Sequence, residues 1–381
     1  MNERSFLCKF IFEHPEDWME KLHNEYEIRV KKEGDYAIFN YAIGADFSNP
    51  IVQEARGIIL DWKALEVVCW PFRKFGNYTE SYADKIDWAS ARVLEKVDGS
   101  IVKLWYDKNA EKWQFSTNGM IRAEDAGVEN YPFLSYGAVI CRAENYRDIP
   151  FAALDKNATY IFELVSPETR VIVNYGKTAL YHLGARNNLT GEEFSVDLGV
   201  QKPQSYPLGS LEDCVRAASA LNADTGGSIE KEGFVVVDKN WNRVKIKSLD
   251  YITMHHLATQ KTLSKRECIV ALLDGGSLTE KIVKERPELQ PTVKYYDYKL
   301  CELMLKADQM VNLTRRLYEE YGNDRAAVAK MIGKHPLSFI GFKGLKGQEG
   351  RVTLLNMPVE KICSFIPDYE PIDLLREIQP K

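Results

Sequence analysis

The amino-acid sequence predicts an α+β protein in which a larger domain of mixed strands and helices precedes a smaller, mainly helical domain. The chain has 381 residues, and single hydrophobic cores stop growing at roughly 250–300 residues, so two domains are expected. Short β-branched and aromatic runs fill the first two-thirds of the chain, whereas apolar residues recur at helical spacing beyond it. We therefore expect one domain over residues 1–250 and a second over residues 251–381.

Turn residues separate several short runs that predict strands in the first domain. These runs are Gly57–Leu60, Ile101–Tyr106, Tyr160–Val165, Arg170–Val173 and Gly233–Asp238. One helix interrupts them, because Ser210 can cap it and Asp213 occupies its third position. Val215 and Ala218 then follow at helical spacing.

Two helices are predicted in the second domain. A long amphipathic helix should begin at Pro291 and end near Tyr321, with Gly322 as its stop. Asp324 can cap a further helix over Arg325–Ile332.

Composition excludes several classes of protein. No apolar run approaches the ~18–20 residues needed to span a bilayer, and the N-terminus lacks the features of a secretory signal. The seven Cys include no C-x-x-C spacing, so neither a disulfide framework nor a zinc site is expected. We therefore expect a cytoplasmic protein with reduced thiols and no membrane partner.

The net charge of −5 conceals a difference between the two domains. Residues 251–381 carry 20 Lys+Arg and 17 Asp+Glu, a charge of +3, whereas residues 1–250 carry 30 and 38, a charge of −8. Neither domain is strongly basic, so tight, non-specific binding to long nucleic acid is not expected. Contact with a few phosphates near one strand end is compatible with this charge.

The segment Leu94–Ser100 carries the first chemical signal. It places Lys96 beside a turn in which Gly99 can let the backbone approach a ligand. A neutral lysine amine is a good nucleophile, but it must be desolvated or placed beside other cations to be neutral near pH 7. Taken alone, Lys-x-Asp-Gly is more typical of a solvated turn.

Downstream residues supply the missing partners. Glu163 lies inside a predicted strand, and Glu232 immediately precedes another. Lys245 and Lys247 alternate along a third strand, so both fall on one face. Carboxylates can hold Mg²⁺ or ribose hydroxyls and lysines can neutralise phosphate charge, so the set suits transfer of a nucleotidyl group.

These motifs and their order resemble those of the covalent nucleotidyltransferases, a superfamily of DNA ligases, RNA ligases and mRNA capping enzymes. In chain order the motifs are Lys96-x-Asp98-Gly99-Ser100, Phe162-Glu163, Glu232-Gly233-Phe234-Val235 and Lys245-Ile246-Lys247-Ser248. Further segments within residues 1–255 resemble the phage-type RNA ligase 1 family in particular. They are Ile38–Tyr41, Ala55–Leu60, Pro71–Glu80, Leu183–Asn187 and Thr190–Glu192.

The resemblance implies an ATP-dependent RNA ligase that uses Mg²⁺ or Mn²⁺, with a nucleotidyltransferase (adenylylation) domain of antiparallel sheets with flanking helices. It implies that Lys96 accepts AMP, that Glu163 holds the ribose and that Glu232 binds or organises the metal. Lys245 and Lys247 would contact the α-phosphate and favour the neutral Lys96 amine.

Other implied site residues lie around this centre. Arg56 and Lys74 would contact the ATP phosphates, with Phe75 supporting them, and Tyr41 would lie near the nucleotide. Tyr251 matches a Tyr that family members require in later steps. Packing in the core is an alternative reading for both Phe75 and Tyr41.

Three further positions complete the comparison with the family. Gly99 belongs to the nucleotide-binding motif, and Asp274 is the candidate for a second metal ligand, although its register matches poorly. At Asn118 the family often has a Lys, so a phosphate contact there is not expected from this chain.

The expected partners are RNA ends, preferably single-stranded or in a tRNA loop, in the repair of RNA by a monomeric enzyme of a phage-infected bacterial cell. The helical domain would select the RNA. A DNA nick ligase or a capping-type nucleotidyltransferase is an alternative, but both normally carry an OB-fold where residues 292–332 predict helix. A non-catalytic protein that binds RNA ends is a third reading, which the complete motif set disfavours.

Overall fold

The computed structural model describes residues 2–222, 228–260, 263–273 and 277–369. It separates into two compact units. The first contains the described residues up to Asn222 and those from Ile229 to His255, and the second contains Ser228 and the described residues from His256 onward. Within the described ranges, no helix is both long and apolar enough to cross a membrane.

Strands dominate the first unit. Its strands are β1 (Ile28–Glu33), β2 (Tyr36–Tyr41), β3 (Arg56–Asp61), β4 (Glu66–Cys69), β5 (Arg92–Lys96), β6 (Ser100–Asp107), β7 (Lys112–Thr117), β8 (Gly127–Val128), β9 (Tyr131–Ser135), β10 (Ala158–Val165), β11 (Ala179–Asn187), β12 (Glu193–Phe194), β13 (Ser205–Tyr206), β14 (Gly233–Val237) and β15 (Arg243–Lys247). Its helices are α1 (Phe6–Glu13), α2 (Trp18–Tyr26), α3 (Pro50–Glu54), α4 (Tyr136–Cys141) and α5 (Leu211–Ala220), and α6 (Leu249–Gln260) contains the boundary between the units.

The strands form three main sheets and one two-stranded sheet. The main sheets have the orders β1-β2-β3-β4, β12-β11-β10-β6-β7 and β13-β5-β14-β15, and the small one is β8-β9. Neighbouring strands pair antiparallel throughout these sheets. The prediction of antiparallel sheets with flanking helices is therefore confirmed.

The central strand β10 shows why the second sheet forms. All eight of its residues, Ala158–Val165, are buried, which suits a strand covered on both faces. It pairs with β6 on one side and β11 on the other. Because β10 carries Glu163, this packing holds a carboxylate inside the unit.

One predicted strand is wrong. Residues 170–173 form no strand, although Val171, Ile172 and Val173 are β-branched. The backbone N–H groups of Ile172 and Val173 instead donate to Asp98 Oδ2 at 2.9 and 2.7 Å. A buried carboxylate therefore satisfies the donors that a neighbouring strand would otherwise have used.

The described elements of the second unit are helical. Its α-helices are α7 (Lys265–Leu273), α8 (Ser277–Glu285), α9 (Gln290–Glu320), α10 (Arg325–Ile332), α11 (Ser338–Gly344), α12 (Gly350–Leu355) and α13 (Val359–Ser364). The predicted long helix is confirmed as α9. The predicted cap of α10 is also confirmed, since Asp324 Oδ1 accepts from the backbone N–H of Ala326 at 2.8 Å.

Candidate active site

Two lysines and a buried glutamate form the centre of the site. The Lys96 ammonium lies 2.6 Å from Glu232 Oε2, and the Lys247 ammonium lies 2.8 Å from Glu232 Oε1. The Glu232 side chain is 2% exposed, whereas the lysine side chains are 20% and 25% exposed. Each carboxylate oxygen is therefore paired with one lysine, and both ammonium groups remain accessible to a ligand.

The register of the third sheet explains this contact. Gly233, at the start of β14, pairs with Lys96 on β5 and with Lys247 on β15. Glu232 immediately precedes Gly233, so it enters the sheet between the ends of the two lysine-bearing strands. Residues separated by more than a hundred positions in the sequence thus meet because three antiparallel strands end together.

Glu163 approaches from the other sheet. It lies on β10 opposite Ile101 of β6, and it is 7% exposed. Burial raises the pKa of the Glu163 carboxyl to about 7, against the opposing attraction of Lys96. Near neutral pH this side chain can therefore accept a hydrogen bond from a ribose hydroxyl or donate one to its oxygen.

Five cationic side chains converge at the site. Burial and the repulsion of Lys74, Arg56, Lys96 and Lys247, in that order, lower the pKa of Lys245 to about 7. Such crowding is unfavourable without an anion and becomes favourable when several phosphate oxygens are bound. The site is therefore suited to a polyphosphate.

Aromatic rings support these cations. The Phe75 ring centroid lies 5.3 Å from Arg56 Cζ and 5.3 Å from Lys245 Nζ, so the ring lies close to two cations. Lys74 Nζ lies 5.4 Å from the ring centroid of Tyr41. The structure thus pairs the two side chains predicted to contact ATP phosphates, Arg56 and Lys74, with the rings of Phe75 and Tyr41.

Asp98 connects two later segments to residues 97–99, which follow Lys96, the candidate nucleophile, and which we call the nucleophile turn. Its Oδ2 accepts from the N–H groups of Ile172 and Val173, and its Oδ1 accepts from the Tyr251 hydroxyl at 2.6 Å. Tyr251 is only 2% exposed, and burial raises the pKa of its hydroxyl. The structure therefore places Tyr251 behind the nucleophile turn, as a support for Asp98.

Gly99 is required by packing within the protein. A Cβ on this residue would lie 2.3 Å from the Leu164 carbonyl oxygen on β10. The predicted close approach therefore exists, but its partner is the backbone of β10. That contact sets the position of the turn that carries Lys96.

A cavity of about 470 Å³ adjoins Lys96 within the first unit. It lies between β5, β14 and β15 of one sheet and β10–β12 of the other. Its apolar lining includes Leu94, Leu183, Phe194, Val196, Val235 and Val237, and its polar lining includes Arg56, Lys96, Glu163, Lys245 and Lys247. A cavity whose lining combines apolar side chains with cations and carboxylates suits a nucleoside and its phosphates in size and chemistry. We call it the nucleotide cavity.

A second cavity of about 620 Å³ shares a wall with the nucleotide cavity. The residues common to both are Arg56, Lys96, Ile101 and Glu163. Sequence reasoning missed this cavity, although it had noted Asn118, which lines it, as a departure from the family.

The carboxylates fit a divalent cation such as Mg²⁺ in chemistry. Glu163 and Glu232 present oxygen ligands beside the lysine cluster, and Mg²⁺ is usually held by one or two carboxylates together with substrate phosphates. Within the described part of the chain, no group of three or more His, Cys, Asp or Glu side chains is arranged to hold a metal ion. Asp274, the other predicted metal ligand, lies outside the described residues.

Comparison with known families assigns the chain. Residues 54–251 match a family model described as RNA ligase. The chain belongs to this RNA ligase family. The matched segment runs from before Arg56 to Tyr251 and contains the whole cluster around Lys96, so the resemblance to the phage-type RNA ligase 1 family is confirmed.

Two relatives of this RNA ligase family member are viral proteins. An "RNA ligase" of Rhodothermus phage RM378 is 27% identical over 67% of this chain and 71% of its own length. A protein of Autographa californica nuclear polyhedrosis virus, named "Putative bifunctional polynucleotide kinase/RNA ligase", is 32% identical over 62% of this chain. The match spans only 36% of that viral protein.

A solved archaeal ATP-dependent RNA ligase (form 1) is also similar. It is 13% identical, and the similarity covers 86% of this chain and 77% of that chain with a TM-score of 0.39. A likeness this weak adds nothing to the family assignment, which rests on the matched sequence.

Proposed function

We propose that this protein is an ATP-dependent RNA ligase that joins RNA 5′-phosphate and 3′-OH ends through a lysyl-AMP on Lys96. One observation carries the proposal. The Lys96 ammonium and the Lys247 ammonium share the buried Glu232 carboxylate beside the nucleotide cavity, within the segment that matches the RNA ligase family.

In the first step, Lys96 Nζ attacks the α-phosphorus of ATP. A phosphorus–nitrogen bond forms, the bond from the α-phosphorus to the bridging oxygen breaks, and pyrophosphate leaves. The amine must lose a proton to react, and Glu232 Oε2 lies 2.6 Å from Nζ, within reach of that proton. Lys245 and Lys247 face the charge that develops on the phosphoryl oxygens.

In the second step, an oxygen of the RNA 5′-phosphate attacks the phosphorus of lysyl-AMP. The phosphorus–nitrogen bond breaks, the Lys96 amine regains its proton, and a 5′-adenylylated RNA forms. In the third step, the 3′-OH of the other end attacks the 5′-phosphate, its proton is lost and AMP leaves. Glu163 would hold the ribose of AMP through all three steps.

The cofactors proposed are ATP and Mg²⁺ or Mn²⁺. When bound, the metal would neutralise phosphate charge that the lysines alone leave uncompensated. Glu232 would help to hold or orient it, as would Glu163 through the nucleotide. ATP is proposed over GTP because of the similarity to RNA ligases.

The proposed substrates are RNA ends in single-stranded regions or broken tRNA loops, and the proposed role is RNA repair by a monomer in a phage-infected bacterial cell. The second unit would select the RNA. Support comes from its described helices, which carry none of the nucleotidyl-transfer motifs, and from its charge of +3, opposite in sign to that of residues 1–250.

Incubation with α-³²P-ATP, α-³²P-GTP or neither tests the proposal directly. The expected result is a covalent label from ATP that survives denaturation and alkali, is released by warm acid as a phosphorus–nitrogen bond should be, and is abolished by Lys96→Ala. Sealing of a 5′-phosphorylated oligoribonucleotide, but not of a nicked DNA duplex, should follow. Labelling by GTP alone would indicate a capping-type enzyme, and no labelling by either nucleotide would indicate a protein that only binds RNA ends.

A further inference from the structure

The second cavity differs in chemistry from the nucleotide cavity. Beyond the wall that the two share, its lining offers hydroxyl and amide groups from Ser100, Thr117, Asn118 and Tyr136. Beyond the shared wall, the lining also includes one carboxylate, that of Asp125. Cations among the lining residues are confined to the shared wall, so the cavity suits neutral, hydrogen-bonding groups better than a polyphosphate.

Two of these polar groups are already arranged for hydrogen bonding. Ser100 Oγ and the Tyr136 hydroxyl are 3.2 Å apart, and each has further capacity to donate or accept. Asn118 Oδ1 is buried and has no hydrogen-bond partner among the described residues. An unpaired buried acceptor is costly, and a ligand hydroxyl would supply the missing donor.

A buried lysine fixes the wall of this cavity. Lys103 is fully buried, and its ammonium donates to the carbonyl oxygens of Gly57 at 2.9 Å and Thr117 at 2.7 Å. Gly57 has φ +76°, and a Cβ there would lie 2.6 Å from Lys103 Nζ and 2.9 Å from Asn118 Cα. The residue after Arg56 is therefore held directly against the turn that carries Asn118.

The proposed sealing reaction needs a site for the attacking 3′-OH. In an in-line displacement, the attacking 3′-OH and the departing AMP lie on opposite sides of the 5′-phosphate. AMP occupies the nucleotide cavity in the proposed reaction, so the hydroxyl must arrive from the far side of the shared wall. The second cavity opens at that wall, beside Arg56, Lys96 and Glu163.

We propose that the second cavity binds the 3′-terminal nucleoside of the acceptor RNA, with its ribose hydroxyls beside Ser100, Asn118 and Tyr136. The inference rests on the proposed ligase activity and adds to it the location of the acceptor end. It assigns the cavity to a neutral ribose, and pyrophosphate is the rival ligand.

The test compares Tyr136→Phe with wild-type full-length protein. Tyr131→Phe is a matched control, because Tyr131 lies on β9, is 45% exposed and lines neither cavity. Each protein seals a pre-adenylylated RNA donor to two oligoribonucleotide acceptors, one ending in a ribose and one in a 2′-deoxyribose. Lysyl-AMP formation from ATP is measured in parallel.

Removal of the Tyr136 hydroxyl should raise the KM for the ribose-ended acceptor about fivefold, the effect of one lost hydrogen bond. The preference for ribose over deoxyribose should shrink, because the Tyr136 hydroxyl and the 2′-hydroxyl of the acceptor would belong to one hydrogen-bond network. Tyr131→Phe should behave as wild type. An unchanged acceptor KM and an unchanged ribose preference would overturn the proposal, as would slower lysyl-AMP formation with normal sealing, which would assign the cavity to pyrophosphate.

Equilibrium binding separates this inference from the ligase proposal. A fluorescein-labelled oligoribonucleotide with a free 3′ end should bind Tyr136→Phe more weakly than Tyr131→Phe in an anisotropy titration. Equal binding by the two variants would refute the acceptor site. A wild-type protein that forms no lysyl-AMP would refute the ligase activity instead, whichever result the titration gives.

Discussion

Two carboxylates of this protein each lie between two lysines, one in each unit, and they differ in burial. Glu232 lies 2.6 Å from Lys96 and 2.8 Å from Lys247. In the second unit Glu302 lies 2.9 Å from Lys299 and 2.7 Å from Lys306. The Glu232 side chain is 2% exposed, whereas that of Glu302 is 31% exposed.

The way in which each glutamate meets its lysines explains the difference in burial. Glu302 and its lysines occupy consecutive turns of α9, so the helical repeat alone brings them together. Hydrogen bonds from Lys306 and Lys299 lower the pKa of Glu302 to about 2, yet water screens such a surface pair and leaves it little net value. Glu232 instead meets its lysines where three strands end beside a cavity. A glutamate with two lysines is therefore suited to ligand chemistry at Glu232, which is buried beside a cavity, and not at Glu302, which is exposed to water.

Removal of the nucleophile should give the largest effect. Lys96→Ala should reduce labelling by α-³²P-ATP by more than about 10³-fold, because it removes the amine that forms the phosphorus–nitrogen bond. The variant should still seal a pre-adenylylated RNA. Mass spectrometry of the adenylylated peptide identifies the modified residue, and ATP labelling retained in the variant would contradict the assignment.

Replacement of Glu232 or Glu302 with Gln tests whether burial distinguishes the two carboxylates. Glu232→Gln should lower the rate of lysyl-AMP formation on the order of 10²-fold, since the variant lacks the carboxylate that lies within reach of the Lys96 proton. Glu302→Gln is the matched control and should stay within about twofold of wild type. Single-turnover kinetics with Mg²⁺ in excess measures both, and equal effects would show that burial is not what distinguishes them.

Truncation after residue 260 tests whether the second unit is needed for chemistry. The fragment keeps α6 and the segment that matches the RNA ligase family. It should form lysyl-AMP at a rate near that of the full chain while losing preference among RNA ends. The measurement is the ratio of sealing rates for a tRNA with a broken anticodon loop and an unstructured oligonucleotide, and an unchanged ratio would place selection in the first unit.

A proton should accompany ATP binding above neutral pH. Burial and neighbouring cations hold the pKa of Lys245 at about 7, so at pH 8 most of the free protein carries it neutral. Bound phosphates favour the charged form, so binding at pH 8 should take up nearly one proton, and the uptake should vanish below pH 6. Calorimetry in buffers of different ionisation enthalpy measures it.

Lys245→Arg provides the control for proton uptake, because Arg stays charged across this range. The variant should bind ATP at pH 8 with little proton uptake. Uptake equal to that of wild type would show that another group titrates, with Glu163 as the first alternative, because its pKa is also about 7.

The smallest effect is expected at Tyr251. Tyr251→Phe removes the hydroxyl that donates to Asp98 Oδ1 and leaves a buried acceptor unpaired, so unfolding of the first unit should cost about 1–3 kcal/mol less. Thermal unfolding followed by circular dichroism measures this change. If the later steps slow while Tm is unchanged, Tyr251 acts on substrate rather than on the nucleophile turn.

Motif order predicted the centre of the site but not its electrostatics. Lys96, Glu232 and Lys247 were identified because each combines a reactive side chain with a strand pattern and a fixed order along the chain. The raised pKa of Glu163 could not be predicted, since it depends on burial between β6 and β11. A local sequence pattern carries no information about how many layers cover a strand.

The wrong strand and the missed cavity have the same cause. Residues 170–173 follow the composition of a strand, but Asp98, more than seventy positions earlier, accepts their hydrogen bonds. The second cavity likewise combines the start of β6, the turn after β7 and the first residue of α4. Both features arise from contacts between distant segments, whereas α5, α9 and α10 follow from local periodicity and caps.

The hydrogen bonds of Asp98 constrain when the first unit can complete its folding during translation. This carboxylate joins positions 74, 75 and 153 residues further along the chain. Contacts at such separations close late in folding, because large loops must be ordered first. During translation the nucleophile turn emerges long before Tyr251, so a ribosome-bound chain lacks this support until the first unit is almost fully synthesised. Chains that end before Tyr251 should likewise lack the Tyr251–Asp98 hydrogen bond that supports this turn.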